Sequence, residues 1–424
     1  MKAKHTILAI LYILVIAAGC FSTYRLLGGG QVAPQNPEPI TPPTPVVDVS
    51  TTDFSLKFLR LENNSKNLIY SPLSIKYGLN LLSAGASGTT KSEIDAALEG
   101  ESLTKYTNVA DKLSLANAVF VRNTYSSYVK PSYTQTVQSQ FNSELLFDSF
   151  ESTTALDNWV KTKTFNLIDS IGININRNTE MVLANALAIQ LDWQTKFSPE
   201  NTHGRDFYLA DGSKMTTTTL SYHETKTKNL RYFLDEDLTT VSMDLESVAG
   251  ADLAFAAFMP KSSTLSSFVN STSVSSLFTT LGQATDASST KDGVNLYIPK
   301  FKFDYSLAFA SDLQALGIKQ AFSDISADFS EMTSNPNGLF VSEAVHKANI
   351  DFSEKGIKAA AITVFAMAEK SSVETEIPHP VEVRIDHPFL FLIYDKNTKE
   401  VWFTGTVYTP NSWSSDAPSY SPQF

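Results

Sequence analysis

The sequence predicts an α+β protein, and three observations lead there. Helix-start signals recur in the first quarter of the chain, at Thr52-Asp53, Ser71-Pro72 and Thr90-Lys91-Ser92-Glu93. Apolar runs with period two dominate further on. No repeat of 20–50 residues runs through the chain, which excludes solenoids and propellers. At 424 residues and 42% hydrophobic, the chain suffices for one large domain or two ordinary ones.

The elements follow in order. Thr52 or Asp53 can cap a first helix carrying Phe54, Phe58 and Leu61 on one face. Ser71 is an N-cap with Pro72 in the first turn, and the helix continues to Gly85. Thr90 to Glu93 read as a capping box for a third helix. Thr154–Ile171, with Trp159, Val160, Leu167 and Ile168, reads as an amphipathic helix. Met181–Trp193 alternates, with Leu183, Asn185, Leu187, Ile189 and Leu191 on one side. Val381–Tyr394 and Val401–Tyr408 are hairpin-like, β-branched runs expected as core strands.

Glu354-Lys355-Gly356 opens a stretch of small and β-branched residues running to Ser372. Gly356 allows a hinge without a Cβ penalty. At period two, Ile357, Ala359, Ala361, Thr363, Phe365 and Met367 share one apolar face. Taken alone, the pattern is open between a buried strand and an Ala-rich helix.

At the N-terminus, Lys2 and Lys4 precede an apolar run from Ile7 to Ala18 and then Gly19-Cys20. Ala17 to Cys20 resembles a bacterial lipobox, with Cys20, the one cysteine of the chain, as the lipidation site. An uncleaved anchor and a cleaved secretion signal are the alternatives. All three place the domain outside the cytoplasm, at the cell surface, in the periplasm or secreted. No other cysteine is available for a disulfide. Residues 21–50, with Gly28-Gly29-Gly30 and six prolines from Pro34 to Pro45, read as a tether. The Ser- and Pro-rich residues 411–424 are expected to be a disordered tail.

Chemistry of the enzymatic kind is not expected. Gly-x-Ser-x-Gly, His-Glu-x-x-His and Walker-type loops are missing from the sequence. The six histidines have no metal-ligand spacing, so no metal and no cofactor is expected. The net charge of −11 argues against a nucleic-acid partner.

Two motifs at a fixed spacing carry a family resemblance. The run from Glu354 through Thr363 resembles the reactive-loop hinge of the serpins, and Ile385–Ile393 resembles their C-terminal signature. Asn67–Ile94 is similar to the family pattern around its second and third helices, and the likeness extends over residues 51–410. The resemblance implies three β-sheets surrounded by about eight to nine helices, with an exposed reactive-centre loop over residues 354–378. Leu115–Val121, Leu296–Phe303 and Gly338–Phe352 are then further strands. It implies a monomeric, prokaryotic-type inhibitor of a serine protease. The loop is cleaved as bait, an acyl-enzyme forms, and the loop inserts as a strand into the central sheet.

The family's switch residues carry over by position. Ser71, Ser74, Asn185 and His346 match the shutter beneath the sheet, Trp193 matches the breach at its top, and Lys300 with Glu354 matches an ion pair there. The hinge is Glu354, Gly356, Ile357, Ala359, Ala360, Ala361 and Thr363. Ile357 stands where inhibitory members usually have Thr, and Lys355 and Lys358 where Glu is frequent. Counting Gly356 as the first loop residue, the family spacing puts the reactive bond between Lys370 and Ser371, which implies a trypsin-like target. The segment from Ser371 to Asp386 is longer than in many relatives, so Met367, Ala368 or Glu369 are alternatives. Met367 or Ala368 would imply elastase-, chymotrypsin- or subtilisin-like targets. Inhibition of cysteine proteases and a non-inhibitory binding or storage role are further alternatives. The short segment between Ala97 and Leu113, with only Lys105 and Lys112 as cations, leaves no heparin site expected.

Overall fold

The computed structural model describes residues 54–100, 103–357 and 379–414. Among these residues the elements run α1 (Phe54–Leu61), β1 (Leu68–Tyr70), α2 (Pro72–Gly85), α3 (Gly88–Leu98), β2 (Leu113–Arg122), α4 (Pro131–Phe141), β3 (Glu144–Asp148), α5 (Thr154–Lys163), β4 (Met181–Ile189) and β5 (Leu191–Asp192). They continue with β6 (His203–Tyr208), β7 (Lys214–Thr225), β8 (Leu230–Leu234), β9 (Leu238–Asp244), β10 (Leu253–Pro260), α6 (Leu265–Ser271), α7 (Val274–Gln283), β11 (Thr285–Asp286), β12 (Val294–Pro299), β13 (Phe301–Ala308) and α8 (Ala310–Ala315). The last are β14 (Val341–Phe352), β15 (Gly356–Ile357), β16 (Val381–Arg384), β17 (Phe389–Asp395) and β18 (Val401–Val407).

Three sheets and eight helices result, the α+β architecture the sequence predicts. The central sheet has the order β3-β2-β4-β14, with β13 also on β14 and the short β15 and β5 closing one end. A second sheet runs β1-β18-β17-β10-β9-β8-β11, and a third runs β16-β12-β7-β6. In the central sheet β2 and β4 are antiparallel, β4 and β14 are parallel, and β14 and β13 are antiparallel.

Strand β4, Met-Val-Leu-Ala-Asn-Ala-Leu-Ala-Ile, is buried at every position. Both its faces are covered, which suits a near-continuous apolar run. One face packs Val182, Ala184 and Ala186 against Leu156, Trp159 and Val160 of α5. The other face meets α2 at Asn185.

Several boundaries differ from the sequence expectation. The run 181–193 breaks at Gln190, whose N–H bonds to Lys112 O just before the start of β2. The run 296–303 is two strands in two sheets: β12 ends at Pro299, still paired with Thr219 on β7, and Phe301 opens β13 on β14. The run 381–394 likewise splits at His387-Pro388 into β16 and β17 of different sheets. The helix expected to reach Ile171 ends at Lys163, because Phe165 and Asn166 take φ of 55° and 62°, outside the helical region. Ile168 and Ile171 remain buried against the sheet without it.

The expected capping box lies inside α3, which starts at Gly88. Thr90 Oγ1 instead accepts from Asp328 N, and Glu93 Oε2 accepts from the N–H groups of Lys319 and Gln320. Between Leu98 and Leu113 the described residues form no helix. The first residues of the expected tail are ordered. Asn411 N donates to Lys300 O, its carbonyl accepts from Thr218 N, and Trp413 N donates to Thr216 O. They extend the edge of β7 where β12 ends at Pro299. Residues 415–424 lie outside the described residues, as do 1–53 with Cys20 and the tether.

Candidate functional site

The site is built where the central sheet opens. The parallel ladder between β4 and β14 runs from Met181↔Val341 to Ala186↔Lys347. Beyond that point the two strands are not paired with each other among the described residues. The chain leaves β14 at Phe352, turns through Ser353–Lys355, and comes back antiparallel. Ile357 pairs with both Phe352 and Leu191, and Gly356 pairs with Asp192. Of the hinge residues described, Gly356 and Ile357 thus already form a strand in the mouth of the sheet, and Ile357 is buried there.

Only glycine fits this approach. A Cβ on Gly356 would lie 2.1 Å from Leu191 O and 2.7 Å from Asp192 Cα, both backbone atoms. Its φ of 157° is also one that side chains disfavour. The apolar, β-branched Ile357 buries as its residue type implies.

Trp193 clamps the turn. Its indole N–H donates to Ser353 O at 2.8 Å and its backbone N–H to Lys355 O at 2.8 Å. Its ring packs edge-on against Phe352 at 5.1 Å. Phe197 N donates to Glu354 O at 2.9 Å. The Glu354 carboxylate accepts two bonds from Lys300 Nζ, at 2.9 and 3.1 Å, and a third from Thr202 Oγ1. The pair is partly buried, so each charge depends on the other for solvation.

Below the mouth lies a polar cluster. His346, Asn185 and Asn117 stand side by side on β14, β4 and β2 by register. Asn185 Nδ2 donates to Asn117 Oδ1 at 2.6 Å and to Ser74 O at 3.4 Å. Ser71 N donates to His346 Nε2 at 2.9 Å, so that nitrogen is an acceptor and the neutral ring carries its proton on Nδ1. Complete burial disfavours the imidazolium and pushes the His346 pKa down to about 3. Ser71 Oγ accepts from Ser74 N at 3.0 Å and caps α2. Gly78 lets that helix approach: a Cβ there would lie 2.3 Å from Asn185 Nδ2. Ser74 Oγ, Asn185 Oδ1 and His346 Nδ1 are buried without a hydrogen-bond partner among the described residues. Each such group costs about 1–3 kcal/mol. The side-chain bonds of the cluster tie β4 to β2 and to α2 and tie β14 to the start of α2, while β4 and β14 are joined to each other there by their ladder.

The structure brings together Ser71, Ser74, Asn185 and His346 in one place, and Trp193, Lys300, Glu354, Gly356 and Ile357 in another. Asn117 was missed by the sequence reading. Its signal was a lone amide in the apolar strand Leu115–Val121, and only the cross-strand register pairs it with Asn185. Ala359, Ala360, Ala361, Thr363, Lys370 and Ser371 lie outside the described residues, as does Cys20.

This three-sheet arrangement is shared by solved serpin structures. Thyroxine-binding globulin in complex with thyroxine superposes with a TM-score of 0.72 at 24% identity, over 86% of this chain and 99% of that one. The family model described as serpin (serine protease inhibitor) matches residues 49–410. Human alpha-1-antichymotrypsin is 30% identical, over 84% of this chain and 86% of that protein. Iripin-2 of Ixodes ricinus is also 30% identical, over 84% of this chain and 91% of that protein. The chain belongs to the serpin family. The family's description as serine protease inhibitors, together with inhibitory homologues, supports serine-protease inhibition as the general activity.

Proposed function

We propose that this serpin is a suicide inhibitor of serine proteases with trypsin-like preference. The observation that carries the reading is the seated hinge. Gly356 and Ile357 enter the sheet mouth antiparallel to β14, and β4 and β14 are unpaired there. Continuation of that strand would add antiparallel ladders to both neighbours. In the proposed reaction the target's serine attacks the Lys370 carbonyl and the Lys370–Ser371 peptide bond breaks. The new amine departs on Ser371 and the ester stays on Lys370. Residues 358–370 then enter the sheet and drag the acylated protease with them. About a dozen residues at on the order of 1 kcal/mol per net hydrogen bond make the step strongly downhill. The starting fold is then held by a barrier.

Ala361 shares the period-two face of Ile357. Incubation with a panel of serine proteases should give an SDS-stable covalent complex with a trypsin-like member. Ala361→Arg should abolish the complex and turn the protein into a substrate cleaved in the loop, because a charge would enter the sheet interior. Wild-type trapping by Ala361→Arg would sink strand insertion as the mechanism. Absence of any complex with the parent protein would favour a non-inhibitory role.

We also propose that Cys20 is lipidated and tethers the domain outside the cytoplasm through residues 21–50. The lipobox-like Ala17–Cys20 supports this. Cys20→Ala should release the protein from membranes or block its processing, and unchanged retention and size would point to an uncleaved anchor.

A further inference from the structure

The four-stranded sheet carries a cleft of about 530 Å³ that the hinge and the polar cluster do not use. Its centre is Tyr297 on β12. The guanidinium carbon of Arg205 on β6 lies over this ring at 4.3 Å from the centroid, and that of Arg384 on β16 at 4.2 Å. Arg384 reaches it from the directly opposite position in the β12–β16 ladder, and Arg205 from two strands away on the other side. Each cation gains from the ring quadrupole, but two like charges on one ring repel each other.

The two arginines are not equally satisfied. Arg384 Nη2 donates to Glu382 Oε2 at 2.5 Å. Arg205 has no ion pair among the described residues, and its Nε is buried without a hydrogen-bond partner. An unsatisfied buried donor is costly, and a guanidinium presents a planar fork suited to an oxyanion. The nearby acids are already engaged. Asp206 holds Lys214 at 2.6 Å, and Asp386 is hydrogen-bonded to His387 Nδ1 at 2.7 Å. They leave Arg205 unneutralised, yet as rim charges they disfavour a dianion. Thr217 and Thr219 put buried hydroxyls in the cleft wall. Tyr208, 38% exposed and stacked on His387 at 4.9 Å, offers a flat apolar surface beside them.

We propose that this cleft binds a singly charged carboxylate, held by Arg205 and Arg384 across Tyr297, with the apolar body of the ligand resting on Tyr208. The carboxylate can belong to a free aromatic acid or to a glutamate side chain of a peptide, since both present the same group. Because Arg384 sits on β16, the first strand after residues 358–378, a bound carboxylate would tie that strand to β6.

The test uses the full-length protein and three probes: 4-phenylbutyrate, its neutral amide, and N-acetyl-glutamate amide. The readout is the arginine Nε–Hε NMR spectrum, in which the Arg205 signal is identified by its loss in Arg205→Gln. At least one carboxylate should shift that signal saturably, and the amide should not. A response to phenylbutyrate alone assigns a free acid, and a response to the glutamate derivative alone assigns a peptide side chain. Arg384→Gln, read on the Arg205 signal, and Arg205→Gln, read on the Arg384 signal that Arg384→Gln identifies, should each weaken binding about tenfold or more. Arg231→Gln on β8 should leave it unchanged. If Arg205→Gln fails to fold, the exposed Arg384 decides. The proposal is overturned if no shift saturates, if the amide binds as well as the acid, or if Arg384→Gln binds with parental affinity.

Discussion

Replacing Gly356 by alanine tests whether the hinge is held in the sheet as the geometry requires. The added Cβ would meet Leu191 O at 2.1 Å and the Leu191 carbonyl carbon at 2.9 Å. Both belong to the backbone of a strand that Trp193 and the Glu246 side chain also fix, so neither can swing aside as a side chain would. The hinge must leave. It then gives up the Ser353 N to Gly356 O bond, the pairing with Asp192 and the burial of Ile357. One or two net hydrogen bonds and one buried isoleucine amount to roughly 3–5 kcal/mol. That is a local loss, because the sheets below keep their own packing. Hydrogen exchange of the Ile357 amide should accelerate by about two to three orders of magnitude, with the Trp193 indole N–H following it. Circular dichroism should stay that of the parent. Unchanged protection of Ile357 in Gly356→Ala would refute the seated hinge, and with it the observation on which the inhibitor reading rests.

Three further outcomes follow from the same geometry. The unfolded chain takes up a proton on His346 near its ordinary pKa of 6.5, while the folded protein refuses it until about 3, so stability falls as pH drops through that window. The loss is about 1.4 kcal/mol per pH unit, or roughly 2 kcal/mol between pH 7 and 5. Urea midpoints at the two pH values should show His346→Gln relieved of it. A double-mutant cycle on Lys300→Met and Glu354→Gln should give a coupling on the order of 1 kcal/mol that shrinks in high salt. A coupling of zero would make the contact incidental. Ending the chain at Pro410 removes the two backbone bonds of Asn411 and the bond its Oδ1 accepts from Lys302 N, and should cost about 1–3 kcal/mol in thermal or urea unfolding. An unchanged midpoint would show that the tail only lies on the surface.

Local chemistry was readable wherever one residue settles one question. Ser71-Pro72 started α2 as expected, because a cap and a fixed φ act on their own turn. The apolar runs marked the strands for a similar reason, since alternation or continuous burial leaves its trace in the strand itself. What failed was the assignment of strand ends. Pro299 and His387-Pro388 split single runs between two sheets, and period-two patterns on either side look alike whichever sheet receives them. Thr90 and Glu93 failed for a different reason. Their capping chemistry was present, but Asp328, Lys319 and Gln320 supplied donors from distant parts of the chain.

The sequence by itself determined the family, through the hinge and C-terminal motifs, and the residue types of the site: a glycine, a β-branched apolar neighbour and a few polar residues in apolar strands. The tertiary structure decided what those residues do to each other. That Asn117 bonds Asn185, that Ser71 N binds Nε2 of His346, and that Gly356 lies against the Leu191 backbone all depend on the register of strands far apart in the chain. A hydrogen bond is decided over a few tenths of an ångström, while a residue pattern specifies only which face a side chain takes. The first can be read only after the strands are paired.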